Sequence, residues 1–394
     1  MKYIILLADG MGDLPVEELG GKTPLEAANT PNMDALFAKS MSGMVTPLCD
    51  GFPLGSDIGN MTILGNNPHE HYTGRAPMEA ANLGIPLSDK EVAFRCNLVY
   101  VKSGKMEDYS SGHISTAESK VLVKMLDKKL GSEGVKFYPG KSYRHIMVMK
   151  GGESVKATPP HDISGLDIAP YMPKGAKADK LEQLMKDSLL LLDGHEINMR
   201  RRAEGKNPAN MIWLWGQGKK LDLPHLKDKY GLKGAVISAV DLVNGIGVSM
   251  GLEVVNVPGV TGYIDTNFAG KAEYALKAMR KKDFVYLHVE ATDEMGHNRD
   301  IRGKIEAIEK FDSEIVSRVA EGMKEFKDYR IMITSDHATP VKTGTHSADA
   351  VPFMLFDPAK TQNKALSKYS EKAAMASGIT YKTGWELFDF FIKK

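Results

Sequence analysis

Six aspartate and histidine side chains follow short apolar runs of the kind that form buried strands: Asp9, Asp293, His297, Asp336, His337 and His346. Taken singly, an aspartate after a strand is usually a turn former or a helix cap. Taken together they indicate more, because the carboxyl ends of parallel strands meet at one edge of a sheet. Carboxylate oxygen and imidazole nitrogen are suitable ligands for zinc, manganese or magnesium. The pattern therefore predicts a metal site.

A hydroxyl nucleophile is predicted at Ser56, in the segment GFPLGSDIGNMTILG. Two metal ions suit phosphoryl transfer, since one activates a nucleophile and both neutralise charge on the transferred group. Ser56 follows Gly55 in a loop rich in glycine and proline and precedes an apolar pattern of helical type. The free N–H groups at a helix start favour a phosphate. The alternative is that Ser56 merely caps the helix.

The elements that would position these residues alternate along the chain. Buried strands are predicted at residues 2–8, 211–215, 234–238, 284–289, 330–334 and 352–356, and helices at 266–281 and 302–326. Strands alternating with helices predict an α/β core with a mostly parallel sheet and helices on both faces.

Residues 90–178 have a different pattern. Short β-like segments at 93–101 and 143–149 flank a helical stretch at 116–130, and a passage rich in proline and glycine follows. We therefore predict a smaller α+β domain at 90–178, inserted into a core formed by residues 1–89 and 179–394.

The composition is ordinary for a globular enzyme. The 394 residues are 42% hydrophobic and 26% charged, with a formal net charge of +1, so neither nucleic acid nor a membrane surface is an expected partner. The two cysteines, Cys49 and Cys96, exclude a disulfide scaffold and a thiolate zinc site. The N-terminal apolar run is too short for a signal peptide. We expect a soluble cytoplasmic protein, and the sequence leaves the oligomeric state open.

The motifs as a set resemble the alkaline phosphatase superfamily and, within it, the cofactor-independent phosphoglycerate mutases of the archaeal type. The segments that carry the resemblance are LLADGMGD, KTPLEAANTPNMDAL, GSDIGNMTILG, YTGRAPMEA, DEMGHN, TSDHATP and THSADAVPF. The resemblance implies an alkaline phosphatase-like core, two divalent ions (manganese, zinc or magnesium), and a substrate-binding role for residues 90–178. It also implies interconversion of 2-phosphoglycerate and 3-phosphoglycerate through a phosphoserine.

The resemblance further implies how the ligands divide between the two ions. The first set is Asp293, His297 and His346; the second is Asp9, Asp336 and His337, with Ser56 bridging as nucleophile.

One segment departs from the family pattern. Archaeal-type mutases usually have a DRRAGR-like segment where this chain has EDYSSGHIS, which keeps Asp108 but places Tyr109, Ser110 and His113 at the other positions. The change removes arginines that would pair with an acidic substrate. A bacterial branch of the family, proposed to act as homoserine kinase, resembles this DYSSGH-like form. Homoserine phosphorylation with the same serine and metals is therefore the alternative function.

Four residues are predicted to bind a small phosphorylated metabolite: Arg75, Asp108, His113 and Arg144. The consecutive arginines 200–202 are expected to be a solvated charge run, since they cannot all face one site. Less favoured alternatives are a phosphomonoesterase and a non-catalytic binding protein in which metals only brace the fold. The Gly55-Ser56 pair argues against the latter, because a structural metal site needs no nucleophile.

Overall fold

The computed structural model describes residues 1–361 and 368–393. The chain divides into two compact units. We call residues 1–72 with 222–394 the first unit and residues 73–221 the second unit.

Both units contain strands as well as helices. The strands are β1 (Lys2–Ala8), β2 (Met41–Val45), β3 (Glu91–Lys102), β4 (Lys105–Asp108), β5 (Val135–Lys141), β6 (Arg144–Lys150), β7 (Met211–Lys219), β8 (Gly234–Ile237), β9 (Glu253–Val254), β10 (Phe284–Val289), β11 (Tyr329–Thr334), β12 (Val351–Phe356) and β13 (Thr380–Tyr381). The α-helices are α1 (Pro24–Ala27), α2 (Pro31–Phe37), α3 (Ser56–Ile63), α4 (Pro68–His71), α5 (Ala76–Asn82), α6 (Thr116–Leu130), α7 (Ala178–Leu192), α8 (Glu196–Ala203), α9 (Leu226–Tyr230), α10 (Asp241–Ser249), α11 (Phe268–Met279), α12 (Ala291–His297), α13 (Ile301–Lys310), α14 (Ser317–Gly322), α15 (Glu371–Met375) and α16 (Gly384–Lys393).

The first unit is built on an eight-stranded sheet with the order β13-β2-β12-β11-β1-β10-β8-β9. Strand β12 runs antiparallel to both of its neighbours, and the other described pairings of the sheet are parallel. The central strands β1, β10 and β11 are almost wholly buried, as expected for parallel strands covered on both faces. The predicted fold class, an α/β core with a mostly parallel sheet, is confirmed.

The second unit contains a five-stranded antiparallel sheet in which β3 pairs with β4, β6 and β7, and β6 also pairs with β5. The prediction that residues 211–215 form a core strand beside the others is wrong, because β7 joins this second sheet. An apolar run predicts a strand but does not reveal its partner. The second unit also extends on both sides of the predicted insertion at 90–178, because α5 and β7 pack with β3.

Two helix predictions show where sequence patterns succeed and fail locally. Helix α6 has the predicted bounds, and the Ser115 hydroxyl accepts a hydrogen bond from the backbone of Glu118 at its start. The segment predicted as a helix at 302–326 is helical over residues 301–325, but it is not one regular α-helix: a π-helical segment at Phe311–Val316 separates α13 from α14, and the last turn, Met323–Glu325, is a 3₁₀-helix. Among the described residues, none of the helices has the length and apolar character needed to cross a membrane.

Candidate metal and phosphoryl-transfer site

Three adjacent parallel strands of the first unit end at the candidate site. Asp9 directly follows β1, helix α12 follows β10, and the segment 335–341 follows β11. Because β11, β1 and β10 are neighbours in the sheet, their carboxyl ends lie side by side. The fold thereby brings together all six predicted metal ligands and Ser56.

One group of contacts surrounds the imidazole of His337. Its Nε2 lies 3.1 Å from Ser56 Oγ, 3.2 Å from Asp9 Oδ1 and 3.4 Å from Asp336 Oδ2. Asp9 is completely buried, and its Oδ1 has no hydrogen-bond partner among the described residues. The ligand atoms of Asp9, Asp336 and His337 all lie within 4.8 Å of one another. A buried, unpartnered carboxylate oxygen in such a group fits a bound cation.

A second group forms around His297 and His346, whose Nε2 atoms are 2.9 Å apart. Asp293 Oδ2 lies 3.1 Å from the His297 Nε2, and Asp293 Oδ1 lies 3.5 Å from the His346 Nε2. The Nδ1 atoms are 2.9 Å and 3.1 Å from the carbonyl oxygens of Gly344 and Leu54. If each Nδ1 donates to its carbonyl, each Nε2 presents a lone pair to the other. Two facing lone pairs require a proton or a cation between them, so this group also fits a metal ion.

The electrostatics of the cluster agree with the geometry. Burial, then the charges of Asp336, Glu290 and Asp293, raises the pKa of Asp9 well above its usual value. Burial, reinforced by the charge of Asp293, raises the pKa of Asp336 to about 7. Burial lowers the pKa of His337 to about 3, so this imidazole stays neutral, as a metal ligand must. Buried carboxylates at this density are costly without a cation to compensate them.

Ser56 is the first residue of α3, and Gly55 occupies the cap position without a side-chain hydrogen bond. The alternative that Ser56 is only a helix cap is therefore wrong: its hydroxyl contacts His337 instead. Asn60, one helical turn later, donates to the Ser56 carbonyl at 2.9 Å and to Asp336 Oδ2 at 2.7 Å. The start of α3 is thereby fixed against the segment after β11.

The comparisons with known proteins agree with this geometry. A family model described as 2,3-bisphosphoglycerate-independent phosphoglycerate mutase matches residues 38–198. A probable 2,3-bisphosphoglycerate-independent phosphoglycerate mutase of Geobacter sulfurreducens is 47% identical, and the alignment covers 100% of both chains. The corresponding mutase of Methanosarcina barkeri is 44% identical, again over 100% of both chains. The chain belongs to this family of mutases. The family that the motifs predicted is confirmed.

Two solved structures have the fold of this mutase-family chain. The PH0037 protein from Pyrococcus horikoshii superposes with a TM-score of 0.83 at 29% identity, covering 99% of this chain and 96% of its own. A cofactor-independent phosphoglycerate mutase from Thermoplasma acidophilum superposes with a TM-score of 0.68 at 23% identity, covering 100% of this chain and 99% of its own.

The sequence reasoning missed two groups of this mutase-family site that touch Asp9 or lie beside it. His288 Nε2 lies 2.8 Å from Asp9 Oδ2, and its Nδ1 lies 3.1 Å from Ser238 Oγ. Glu290 Oε2 lies 3.8 Å from His288 Nε2. The available signal was a histidine within the otherwise apolar run FVYLHV of β10. A histidine that contacts a ligand carboxylate helps to fix its orientation.

The sequence reasoning also missed Lys304 and Thr339. The Thr339 hydroxyl donates to Asp293 Oδ1 at 2.5 Å and lies 3.1 Å from His337 Nδ1. The fully buried Lys304 ammonium donates to Asp13 Oδ2 at 2.7 Å, the Thr339 carbonyl at 2.8 Å and the Gly12 carbonyl at 3.2 Å. Lys304 therefore joins the loop after β1 to the loop after β11.

The four predicted substrate-binding residues, Arg75, Asp108, His113 and Arg144, lie in the second unit. Both carboxylate oxygens of Asp108 are engaged locally, Oδ1 by Ser110 and Oδ2 by Gly112 and Asn207. Asp108 therefore shapes its own loop. The ring of His113 lies 5.9 Å from that of Tyr143.

The prediction of a solvated arginine run is wrong for its middle residue. Arg201 is buried and donates to Glu118 at 2.9 Å, to the Asn207 carbonyl at 2.9 Å and to the Ser111 carbonyl at 2.7 Å. These hydrogen bonds hold the loop that follows β4 in place. Three consecutive arginines in a sequence do not reveal such a structural role.

Proposed function

We propose that this chain interconverts 2-phosphoglycerate and 3-phosphoglycerate through a phosphoserine at Ser56. Membership of the mutase family supports the substrate pair. The observation that carries the mechanism is the Ser56 hydroxyl, 3.1 Å from His337 in a buried group of carboxylates and imidazoles.

Two divalent ions have suitable ligands in the first unit. Asp293, His297 and His346 would hold one ion, and Asp9, Asp336 and His337 the other. When bound, such ions lower the pKa of a hydroxyl nucleophile and neutralise charge on phosphoryl oxygens.

The serine performs both transfers. In the first, Ser56 Oγ forms a bond to phosphorus as the bond to the substrate oxygen breaks; the glycerate hydroxyl gains a proton and Ser56 loses one. In the second, the other glycerate hydroxyl attacks the phosphoserine, and the proton movements reverse. Ser56 begins α3, and free N–H groups at the start of a helix favour a phosphate.

The second unit is proposed to bind the glycerate between the two transfers, as predicted for residues 90–178. Retaining the glycerate and excluding water keeps the phosphoserine from being hydrolysed. Arg75 and Arg144 are the proposed contacts to substrate. Asp108 is proposed to act indirectly, because its oxygens already hold the loop that presents His113.

The test uses the full-length protein loaded with a divalent metal. Wild type should convert 3-phosphoglycerate with a kcat/KM above about 10⁴ M⁻¹s⁻¹, and intact mass should detect one added phosphoryl group. Ser56→Ala should lower turnover by roughly 10⁴-fold or more and abolish the mass increase. Ser313→Ala, at an exposed serine of the same unit, is the matched control.

Near-normal turnover by Ser56→Ala would overturn the mechanism. A second arm offers homoserine and ATP to the wild type, and we expect no phosphorylation. The family match and the relatives give the homoserine kinase alternative no support, and neither identifies manganese as the ion.

A further inference from the structure

The hydroxyl of Thr339 touches both sets of predicted metal ligands. It donates to Asp293 Oδ1 at 2.5 Å and lies 3.1 Å from His337 Nδ1. Asp293 belongs to the first predicted set and His337 to the second, so a single oxygen atom links the two sets. All three residues are buried, and water therefore competes little for these contacts.

The chain holds this hydroxyl from several sides. The Thr339 backbone N–H donates to the Gly12 carbonyl at 3.1 Å, and the Thr339 carbonyl accepts from the buried Lys304 ammonium at 2.8 Å. Two glycines leave room for the side chain. A Cβ at Gly10 would lie 2.5 Å from Thr339 Oγ1, and a Cβ at Gly296 would lie 2.8 Å from Thr339 Cγ2. The hydroxyl therefore has little space in which to move away from either ligand.

The directions of the two hydrogen bonds follow from the protons that are available. A carboxylate that binds a metal ion is deprotonated, so Asp293 can only accept. A hydroxyl has one hydrogen and two lone pairs. Because the Thr339 hydrogen goes to Asp293, the Thr339 oxygen must accept from His337, whose proton then lies on Nδ1. This tautomer leaves a lone pair on Nε2.

The opposite tautomer of His337 has acceptors of its own. The Nε2 atom lies 3.1 Å from Ser56 Oγ, 3.2 Å from Asp9 Oδ1 and 3.4 Å from Asp336 Oδ2. A proton on Nε2 would find an oxygen partner there, but it would occupy the lone pair that a metal ion requires. The surroundings of Nε2 thus favour the tautomer that cannot bind metal, and the Thr339 hydroxyl opposes it.

We infer that Thr339 is a positioning residue that couples the two metal sites. Its hydroxyl selects the metal-binding tautomer of His337 only while its hydrogen goes to Asp293; otherwise it could donate to Nδ1 and favour the opposite tautomer. An ion that holds Asp293 in place keeps that acceptor and thereby favours the ion at His337. By linkage, the second ion favours the first equally. The coupling rests on the metal sites of the proposed function and adds a residue that neither set contains.

The test titrates zinc into the full-length protein after chelation, with calorimetry and without substrate. Wild type should bind two zinc ions cooperatively. Thr339→Val has nearly the same shape but no hydroxyl, and it should weaken zinc binding by ~10- to 100-fold, the usual effect of losing a group that orients a metal ligand. It should also remove the cooperativity. Thr339→Ser keeps the hydroxyl and should bind zinc as wild type does.

A matched control and a second readout separate positioning from packing. Thr30→Val also removes a buried hydroxyl that donates to an aspartate, 3.3 Å from Asp34 Oδ1 in the same unit, and it should leave zinc binding unchanged. Nitrogen-15 spectra of the histidine rings report the tautomer in the metal-free protein. They should show the His337 proton on Nδ1 in wild type and on Nε2 in Thr339→Val.

The possible outcomes separate the coupling from the proposed function. Zinc binding by Thr339→Val that equals wild type in affinity and cooperativity would overturn the role of Thr339 and leave the mutase mechanism intact. Equal losses in Thr339→Val and Thr339→Ser would also overturn it, since the hydroxyl would not be the cause. A wild-type spectrum with the His337 proton on Nε2 would overturn it even if Thr339→Val does not fold. A wild type that binds no zinc would instead refute the proposed metal sites.

Discussion

In the first unit the candidate site consists of buried carboxylates and imidazoles at the ends of parallel strands, whereas in the second unit arginines and aromatic rings lie across the face of an antiparallel sheet. The first arrangement offers carboxylate and imidazole groups that could hold a metal ion; in the second, burial and the charges of Arg75 and Arg144 lower the pKa of Arg95. In each cluster, buried groups of the same charge lie close together, at a cost that a ligand of the opposite sign would offset. The difference teaches that parallel strands gather such groups at their ends, whereas an antiparallel sheet gathers them across one face.

The largest expected effect on stability is at Lys304, whose ion pair with Asp13 in the first unit is fully buried. Lys304→Met should lower the free energy of unfolding of this unit by about 3–5 kcal/mol, because it leaves the buried Asp13 carboxylate without its cation. Hydrogen exchange of β1 and β11 would measure the loss, while exchange of β3 and β6 should be unchanged. Lys310→Met, at an exposed pair with Glu306 on the same helix, should cost less than about 1 kcal/mol. Similar effects of the two variants would contradict the bracing role of Lys304.

Metal ions should stabilise the two units unequally. At a free-ion concentration of ~100 times Kd, binding to the folded state alone adds about 2.7 kcal/mol. We expect slower hydrogen exchange in β1, β10 and α12 when zinc or manganese is added, reversed by a chelator, and little change in the second unit. Asp293→Asn should remove most of this response. Equal protection of both units would show that the ions bind outside the predicted site.

A smaller effect is expected in the second unit, whose unfolding free energy should fall in acid because of one buried histidine. His145 on β6 is buried, accepts a hydrogen bond from the Gly140 N–H at Nδ1, and burial lowers its pKa to about 3. Below its unfolded pKa of about 6.5 the unfolded chain binds the proton and the folded chain does not, so stability falls as the pH falls from about 6.5 towards 3.

Replacing this histidine should therefore flatten the acid response. His145→Gln should reduce the loss of unfolding free energy between about pH 7 and about pH 5 by about 2 kcal/mol. Hydrogen exchange of β5 and β6 at the two pH values gives the measurement. A variant with the same pH dependence as wild type would show that His145 already takes up a proton in the folded protein.

The acidic cluster of the first unit was easier to predict from the sequence than the arginine cluster of the second unit, because the two sheets bring residues together in different ways. Asp9, Asp293 and Asp336 each lie within four residues of a strand end, and parallel strands bring such ends together by their topology alone. Arg95 and Arg144 occupy the middle and the start of strands that are distant in sequence. Their proximity depends on the antiparallel register, and a shift of one residue would put either on the opposite face.

The sequence by itself predicted the family, the α/β fold class, the candidate metal ligands and Ser56 as the candidate nucleophile. Each of these can be recognised from short motifs and from the order of the motifs along the chain. The tertiary structure decided what depends on partners. It placed β7 in the second sheet, used Asp108 and Arg201 to hold a loop, and buried Lys304 between two loops. Those assignments depend on which donors and acceptors meet after the chain folds. The sequence around an arginine or a lysine does not show which distant carboxylate or carbonyl group will be its partner.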